Sequence, residues 1–517
     1  MLSALIWVPL IGAAVIGFLP PFSSAKLARL GTLAIVVSTF LWSLFLASQF
    51  NAGVSDLQFV EYVPWLERLG LTYYLGVDGL SLPLLLLNGF LTAIAIYSSD
   101  SEIRRPKLYY SLILLINAGV AGAFLAQDLL LFFLFYELEL IPLYLLIAIW
   151  GGARRGYAAT KFLIYTAVSG ILLLATFLGL VGLSGASTFS YDPVQAQALP
   201  LATQMILLVA LLIGFGIKIP LVPFHTWLPD AHVEASTPVS VLLAGVLLKL
   251  GTYGLLRFGL GLFPDAWAAI APWLATWAVV SVLYGAFAAI TQQDMKKMVA
   301  YSSVAHMGYI LLAAAAATPL SLAGAVSQMV SHGLISGLLF LLVGVVYAKT
   351  GTRDLRELTG LLNPERGLPL IGSLMILGVM ASAGIPGMTG FIAEFLIFRG
   401  CFASFPIQTL LCMVGTGLTA VYFLNLVNRA FFSRLSPKVI DLPRVRWGER
   451  MPAIALAVII VIFGVQPRWM VLWSEAVTTA MSLPSATVQT VEEKTGSPPA
   501  LTAGIESTLL AVRSPHL

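Results

Sequence analysis

The chain has 517 residues, of which 59% are hydrophobic and 10% are charged, whereas soluble domains carry about 25% charged residues. So few charges cannot cover a soluble globule, and a mean hydropathy of +0.93 also excludes a disordered chain. Apolar runs of about twenty residues recur along the sequence, as in transmembrane helices, whereas the strands of outer-membrane β-barrels are shorter and alternate. The composition therefore predicts an all-α, polytopic membrane protein.

In chain order, the apolar runs predict about fourteen membrane-spanning helices, numbered here as spans one to fourteen. Their predicted limits are 2–20, 30–50, 80–98, 109–126, 129–149, 162–183, 205–224, 237–259, 267–290, 299–317, 320–348, 369–398, 405–432 and 451–474. The last forty-odd residues are rich in Ser, Thr, Ala and Pro, so they predict a weakly structured tail. The first span lacks a basic n-region and a cleavage site, which indicates a membrane helix rather than a signal peptide.

The basic residues of the loops predict the orientation, because positively charged loops stay on the cytoplasmic side. Loops after odd-numbered spans hold most of the loop lysines and arginines, for example Arg104, Arg154 and Lys349. Loops after even-numbered spans hold only Arg68 and Arg399. The basic loops are therefore expected to face the cytoplasm, and both termini the opposite compartment.

Several ionisable side chains fall inside predicted spans, where a charge costs at least about 2.5 kcal/mol. They are Glu137, Glu139, Lys218, Lys249, His306, His332, Glu394 and Arg429. Burial favours the neutral form of lysine and glutamate, and histidine titrates near neutral pH, so such groups can load and release protons. We expect the charges Glu137, Lys218, Lys249 and Glu394 to form a proton path. The two histidines are expected to act as relays between Lys249 and Glu394.

Three other charged residues are given different expectations. Glu139 lies two positions from Glu137 and is expected to point to a different helix face, so it receives no role. Arg429 lies near the basic end of span thirteen and is expected to snorkel to the interface. Asp78 begins span three and is expected to cap that helix.

A metal site and a nucleotide site are both disfavoured. His225–His232, with Glu234 beside it, combines histidine and carboxylate, but the spacing matches no standard metal site and a loop needs polar turn residues. The one dinucleotide-like match, at 415–420, lies in an apolar helix with no strand before it.

Two spans are interrupted by proline. Pro220 and Pro223 follow Lys218 in span seven, and the run at 384–387, which contains Pro386, interrupts span twelve ahead of Glu394. Broken helices that carry a charge, here five spans apart, are typical of transporters built from inverted repeats. We therefore expect two inverted, antiporter-like repeats of five helices. The predicted divisions are 1–108 for the N-terminal helices, 109–259 for the first repeat, 260–432 for the second, 433–474 for the basic loop and span fourteen, and 475–517 for the tail.

Several of these segments resemble chain 4 (subunit M) of the proton-pumping NADH–quinone oxidoreductases, the complex I family. They are FYELELIPLYLLIAIWG, IKIPLVPFHTWLPDAHVEASTPVSVLLAGVLLKLGTYGLLRF, QQDMKKMVAYSSVAHMGYI and SHGLISGLLFLLVG, within about residues 70 to 430. The runs FYELELIPLYLLIAIWGG and GTRDLRELTGLLNPERGLPLIG look most like the cyanobacterial and plastid version of the photosynthetic complex.

The resemblance implies roles for individual residues. Glu137 matches the glutamate that pairs with the lysine of span seven, here Lys218. Lys249 matches the central lysine of span eight, and Glu394 the acid at the exit. His306 and His332 match the relay histidines, whereas Glu139 fits the family pattern less well.

The resemblance also implies a membrane-arm subunit that moves protons, coupled to quinone reduction, in a cyanobacterial thylakoid NAD(P)H- or ferredoxin–plastoquinone oxidoreductase. Its implied partners are the other membrane subunits, including sister antiporter-like subunits, and lipids, with no nucleic acid. It implies that this chain binds no cofactor, and that the iron–sulfur clusters and plastoquinone lie elsewhere in the complex. Two alternatives stay open, a subunit of a multi-subunit sodium/proton antiporter and a scaffold that conducts nothing. The electron donor and the chain-4 variant also stay open.

Overall fold

The computed structural model describes residues 1–18, 24–100, 102–364, 367–434, 436 and 442–482. The helices of the first half are α1 (Ser3–Gly17), α2 (Ala25–Gln49), α3 (Leu82–Tyr97), α4 (Pro106–Leu125), α5 (Leu129–Leu138), α6 (Leu140–Trp150), α7 (Arg155–Ser184), α8 (Pro193–Gln197), α9 (Leu201–Lys218) and α10 (Trp227–Glu234). Those of the second half are α11 (Thr237–Leu242), α12 (Leu248–Gly254), α13 (Pro264–Ile290), α14 (Met295–Ala316), α15 (Pro319–Thr350), α16 (Pro369–Ser382), α17 (Thr389–Cys401), α18 (Pro406–Ala430), α19 (Trp447–Val465) and α20 (Arg468–Ala480).

The helices are those of an integral membrane protein. Within the described residues, eleven helices are long and apolar enough to cross a membrane, when Leu129–Trp150 and Thr237–Leu260 are each counted as one. Three further apolar helices are shorter, at Ala4–Gly17, Leu82–Tyr97 and Pro369–Ser382. The predicted helical membrane protein is confirmed at this level.

Three of the four most deeply buried helices carry predicted path residues. Thr237–Leu260, α14 and α15 are buried along almost their whole apolar length, as is α4, whereas less than half of the corresponding length is buried in α2, α7, α18 and α19. Lys249, His306 and His332 lie on the first three of these helices, one on each. These predicted path residues are therefore held where protein surrounds them on all sides.

Both predicted helix interruptions are present. The helix α9 ends at Lys218, and the prolines that follow cannot continue its hydrogen-bond ladder. The helices α16 and α17 are separated by a turn in which Gly384 (φ 69°) and Gly387 (φ 88°) adopt left-handed backbone conformations. Glycine adopts these conformations without steric cost, and Pro386 between them donates no backbone hydrogen bond.

The stretch Thr237–Leu260 is less regular than the single helix expected for span eight. Its segments Leu243–Leu247 and Leu255–Leu260 are π-helical and flank α12. Such π turns are rare and often occur at functional sites. Here one of them ends two residues before Lys249.

A β-hairpin corrects the expectation of an all-α fold. Strand β1 (Gln58–Leu66) pairs antiparallel with β2 (Leu71–Val77), so that Tyr62 lies opposite Tyr74. The turn passes through Gly70, whose φ is 68°. The segment is rich in β-branched and aromatic residues, which favour strands, but it lacks the long apolar run by which the spans were recognised.

The predicted tail begins later than residue 475. The helix α20 continues to Ala480 and packs against α15, with Met470, Val477 and Thr478 buried. Burial of this apolar face stabilises the helix beyond the end of predicted span fourteen. The remainder of the predicted tail, 483–517, and residues 437–441 of the basic loop lie outside the described residues.

Candidate functional site

Lys249 is the second residue of α12 and lies two residues after the end of the π-helical segment. Its side chain is buried, and Nζ donates a 2.6 Å hydrogen bond to the carbonyl oxygen of Ala244 in that segment. The same Nζ lies 2.8 Å from Nδ1 of His332 on α15. A protonated lysine is a donor of hydrogen bonds only, so these two acceptors suit the charged form of Lys249.

His332 and His306 continue the line away from Lys249. Their buried rings lie 5.7 Å apart between centroids, and Nε2 of His332 has no hydrogen-bond partner among the described residues. In His306, Nδ1 lies 2.8 Å from the carbonyl oxygen of Ser302 and Nε2 lies 3.3 Å from that of Ser382. Because carbonyl oxygens only accept hydrogen bonds, a proton on either nitrogen of His306 has an acceptor in place.

Glu394, the sixth residue of α17, completes the line. Its Oε1 lies 3.9 Å from Nε2 of His306, and its Oε2 accepts a 2.9 Å hydrogen bond from Oγ1 of Thr416 on α18. The Thr416 hydroxyl lies 3.1 Å from the hydroxyl of Tyr309. The structure thus brings Lys249, the two histidines and Glu394 together from four different elements, with the histidines between the lysine and the acid.

Lys218 pairs with Glu139 rather than with Glu137, which corrects the expected pairing. The Lys218 ammonium contacts Oε1 of Glu139, and both side chains are almost completely buried. Glu139 lies in the turn between α5 and α6. Since Pro142 has no N–H to donate to the Leu138 carbonyl, the helix is interrupted here. The backbone of Glu139 nevertheless stays in the right-handed helical region, with φ −80° and ψ −17°, so Glu139 points to a different helix face from Glu137, as expected for two positions along a helix.

Glu137 is half-buried and faces α7. Its carboxylate occupies the space that a Cβ atom at Gly170 would need. The ring of Tyr136 lies beside the lysine, with its centroid 4.7 Å from Nζ. The Tyr136 hydroxyl lies 2.9 Å from Oγ of Ser169, which fixes the position of the ring.

A second buried ion pair, between Arg257 and Asp78, was not predicted. The Nη2 atom of Arg257 contacts Oδ2 of Asp78, while Oδ1 accepts hydrogen bonds from the backbone amides of Leu80 (3.1 Å) and Ser81 (3.0 Å). Asp78 therefore does cap the turn, but it also neutralises an arginine. The sequence feature that could have indicated this ion pair is Arg257 itself, because it lies inside predicted span eight, where a charge needs a partner.

The segment His225–His232 and Glu234 do not gather around one point. Asp230 pairs with Nζ of Lys161 at 2.8 Å, and Glu234 accepts a 2.8 Å hydrogen bond from the backbone amide of Arg154. In the part of the chain that the structure covers, no group of three His, Cys, Asp or Glu side chains could hold a metal ion. The polar residues of this loop instead fasten it to α7 and to the turn before it.

The sequence matches the protein family described as "NADH:quinone oxidoreductase/Mrp antiporter, TM" over residues 126–419, a range that contains every residue expected on the proton path. It is 44% identical over 440 residues to "NAD(P)H-quinone oxidoreductase chain 4 2" of Microcystis aeruginosa, covering 83% of this chain and 79% of that protein. It is 40% identical over 491 residues to the protein of the same name from Thermosynechococcus vestitus, covering 93% and 91%.

Solved membrane complexes contain chains with the same fold. A chain of "Respiratory complex I from Thermus thermophilus with bound NADH" superposes with a TM-score of 0.84 at 27% identity, over 93% of this chain and 99% of that chain. A chain of the Mrp complex from Dietzia sp. superposes with a TM-score of 0.83, over 95% and 98%. At 22% identity, this second likeness concerns the fold alone.

Proposed function

The chain belongs to the family of NAD(P)H-quinone oxidoreductase chain 4, and from this premise we infer that it is the membrane-arm, proton-translocating subunit of a complex I-type quinone oxidoreductase. The observation that carries this inference is the line of buried groups from Lys249 to Glu394. Its successive separations are 2.8 Å (Nζ to Nδ1), 5.7 Å (between ring centroids) and 3.9 Å (Nε2 to Oε1). Gaps of this size are closed by direct hydrogen bonds or by one bridging water molecule.

Lys218 controls when a proton enters the line of groups from Lys249 to Glu394. While its ammonium is paired with a carboxylate it keeps its proton, and when the pair opens the proton passes through water to Lys249. At an effective dielectric constant of 20, loss of a partner at 4 Å changes the interaction energy by about 4 kcal/mol, which corresponds to about a thousandfold in proton affinity. From Lys249 the proton passes through the two histidines to Glu394. Quinone reduction elsewhere in the complex would open the pair.

The finer architecture forms part of the same proposal. It consists of fourteen crossings in two inverted five-helix repeats, 109–259 and 260–432, which are flanked by 1–108, 433–474 and the tail 475–517. The break after α9 and the break between α16 and α17 support it, because each lies next to a charged residue and the two are five spans apart.

We place the subunit in the thylakoid membrane, with the basic loops facing the cytoplasm and both termini facing the lumen. Its neighbours would be sister antiporter-like subunits and lipids. The iron–sulfur clusters and plastoquinone would belong to other parts of the complex, and this chain would contribute no redox centre of its own. The description of the matched family also names the Mrp antiporter, so a subunit of a multi-subunit sodium/proton antiporter stays the second candidate function.

Purification of the complex from its native membranes tests this function. We expect the tagged chain to co-purify with redox subunits, and the preparation to reduce a plastoquinone analogue while taking up protons in sealed vesicles. A purely membrane-embedded assembly that exchanges sodium ions for protons, without quinone reductase activity, would instead establish the antiporter alternative.

A further inference from the structure

We propose that Glu139 is a second functional carboxylate for Lys218, and that the lysine alternates between Glu139 and Glu137 during transport. This inference rests on the proposed proton-translocating function and deepens it. It gives a role to a residue for which neither the sequence pattern nor the family resemblance provides one. The structure corresponds to one of the two positions, with Lys218 paired to Glu139.

The environment of Glu139 differs from that of a structural carboxylate. Its side chain is fully buried, Oε1 contacts the lysine, and Oε2 has no hydrogen-bond partner among the described residues. Asp128, which is equally buried, has both oxygens satisfied by hydrogen bonds that hold the start of α5. The donors are Thr72, Leu130 and Leu131. Because an incompletely bonded carboxylate is costly to bury, Glu139 is held mainly by its ion pair with Lys218.

Glu137 offers the second position. It directly follows Tyr136, whose ring centroid lies 4.7 Å from Nζ of Lys218, and within the described ranges Glu137 forms no ion pair of its own. Its carboxylate points toward α7 into the space left by Gly170, and it is only half-buried. The two carboxylates thus differ in burial within the chain, because Glu139 is fully enclosed and Glu137 is partly uncovered, although they are two residues apart.

Tyr136 provides an aromatic surface beside the Lys218 ammonium, with its ring centroid 4.7 Å from Nζ. Its ring is fixed by a 2.9 Å contact between its hydroxyl and Ser169, whose Oγ in turn donates a 2.8 Å hydrogen bond to the carbonyl oxygen of Gly214. The face of an aromatic ring attracts an ammonium group, most strongly where water is excluded. Since lysine has a flexible four-carbon side chain, the ammonium can change partner without a movement of α9.

One ammonium carries a single positive charge, so pairing with Glu139 and pairing with Glu137 are states that leave a different carboxylate without a counter-charge. Next to Glu139 the lysine is shielded and holds its proton. Next to Glu137 it lies beside a half-buried carboxylate that the chain encloses less completely. The two pairings of Lys218 therefore form a two-state equilibrium, and quinone reduction elsewhere in the complex can shift this equilibrium from one pairing to the other.

Glutamine variants of the two carboxylates test the proposal in the complete complex. We would measure proton uptake per quinone reduced for Glu137→Gln, Glu139→Gln and the double variant. If the lysine has to alternate, each single variant should lose about tenfold or more of its pumping, and the double variant should be no worse than the weaker single variant. Wild-type pumping by Glu139→Gln would overturn the proposal. So would near-normal single variants combined with an inactive double variant, since that result indicates redundant carboxylates.

Three further variants keep the test decisive. Glu449→Gln is the matched control, because Glu449 pairs with Lys349 at 2.7 Å outside the path, and it should pump normally.

Gly170→Ala leaves Glu139 unchanged but displaces the Glu137 carboxylate, so it should assemble and lose pumping even if Glu139→Gln fails to assemble. Normal pumping by Gly170→Ala would overturn the alternation. If Lys249→Ala also pumps normally, the proposed function itself fails. If Lys249→Ala is inactive while Glu139→Gln pumps normally, only the alternation fails.

Discussion

The Lys218 region and the line from Lys249 to Glu394 use buried ionisable groups in different ways. Lys218 is in direct contact with a carboxylate and lies beside an aromatic ring. Lys249 contacts a backbone carbonyl and an imidazole instead, and within the described residues no carboxylate pairs with it. The first arrangement holds a charge until its partner changes, which suits a switch. The second offers neutral acceptors in sequence, which suits the transfer of a proton.

The two helix breaks differ in where the charged residue lies: Lys218 is at the C-terminal end of the helix before its break, and Glu394 is near the N-terminal end of the helix after its break. Lys218 is the last residue of α9, where the unpaired carbonyls of a helix C-terminus favour a cation. Glu394 lies beyond its break, in the second turn of α17, and a Cβ at Gly384 would lie 3.0 Å from its Oε2. The first break therefore stabilises the charge of the switch, whereas the second makes room for the acid at the end of the line.

The largest effect within the line is expected from Glu394→Gln. This variant keeps the side-chain volume and the contact with Thr416 but removes the group that accepts and releases the proton. General acid–base groups contribute about a hundredfold or more to a rate, so pumping should fall by at least about that factor. Proton uptake by reconstituted vesicles during quinone reduction measures it. Wild-type uptake would exclude Glu394 from the path.

The next largest effect is expected from His306→Leu and His332→Leu. Loss of one hydrogen-bonded link to a charged group costs about 1.5–3 kcal/mol, or about ten- to a hundredfold in rate. If the two rings act in series, the double variant should pump no worse than the slower single variant. His225→Leu, which removes a buried imidazole outside the line, is the matched control. Multiplied losses in the double variant would show that the histidines serve separate paths.

A smaller effect is expected from Thr416→Val. The substitution keeps the shape of the side chain and removes the 2.9 Å hydrogen bond to Oε2 of Glu394. Loss of this bond should slow pumping by about tenfold, less than the loss of Glu394 itself. The same uptake assay measures the change, with assembly followed by native electrophoresis. A loss as large as that of Glu394→Gln would mean that the hydroxyl itself carries the proton.

The smallest effect is expected from Arg429→Ala. Its guanidinium lies at the surface, where Nη1 donates a 2.9 Å hydrogen bond to Oε1 of Gln293. Exposed substitutions of this kind change stability by about 0.5 kcal/mol or less, so assembly and pumping should both stay at the wild-type level. A large loss of pumping would extend the functional charges beyond the two regions compared above.

The central residues of the line could be found from the sequence because lipid penalises charge. A lysine or glutamate in a long apolar run is rare enough to stand out, and prolines mark the helix breaks beside Lys218 and Glu394. The sequence could not reveal which glutamate meets Lys218. Glu137 and Glu139 point to different faces of one apolar stretch, and only the fold shows which of these faces meets Lys218.

Other features escaped prediction for different physical reasons. The π-helical segments lie in a stretch that is apolar on every side, so its hydrophobic pattern carries no periodicity from which a change of pitch could be recognised. Arg257 lies near the end of predicted span eight, but its partner Asp78 is far away in sequence, and only the fold brings the two together. The β-hairpin lies between apolar runs and lacks their length, so the hydropathy pattern by itself does not reveal it.

Proton uptake by the assembled complex with Lys249→Ala tests the proposed proton path most directly. Lys349→Ala is the matched control, because Lys349 lies at the end of α15 and pairs with Glu449 instead of a path residue. We expect both variants to assemble, with proton uptake per quinone reduced lost in Lys249→Ala and unchanged in Lys349→Ala. Normal proton uptake by assembled Lys249→Ala complexes would contradict the path and leave the chain as a scaffold.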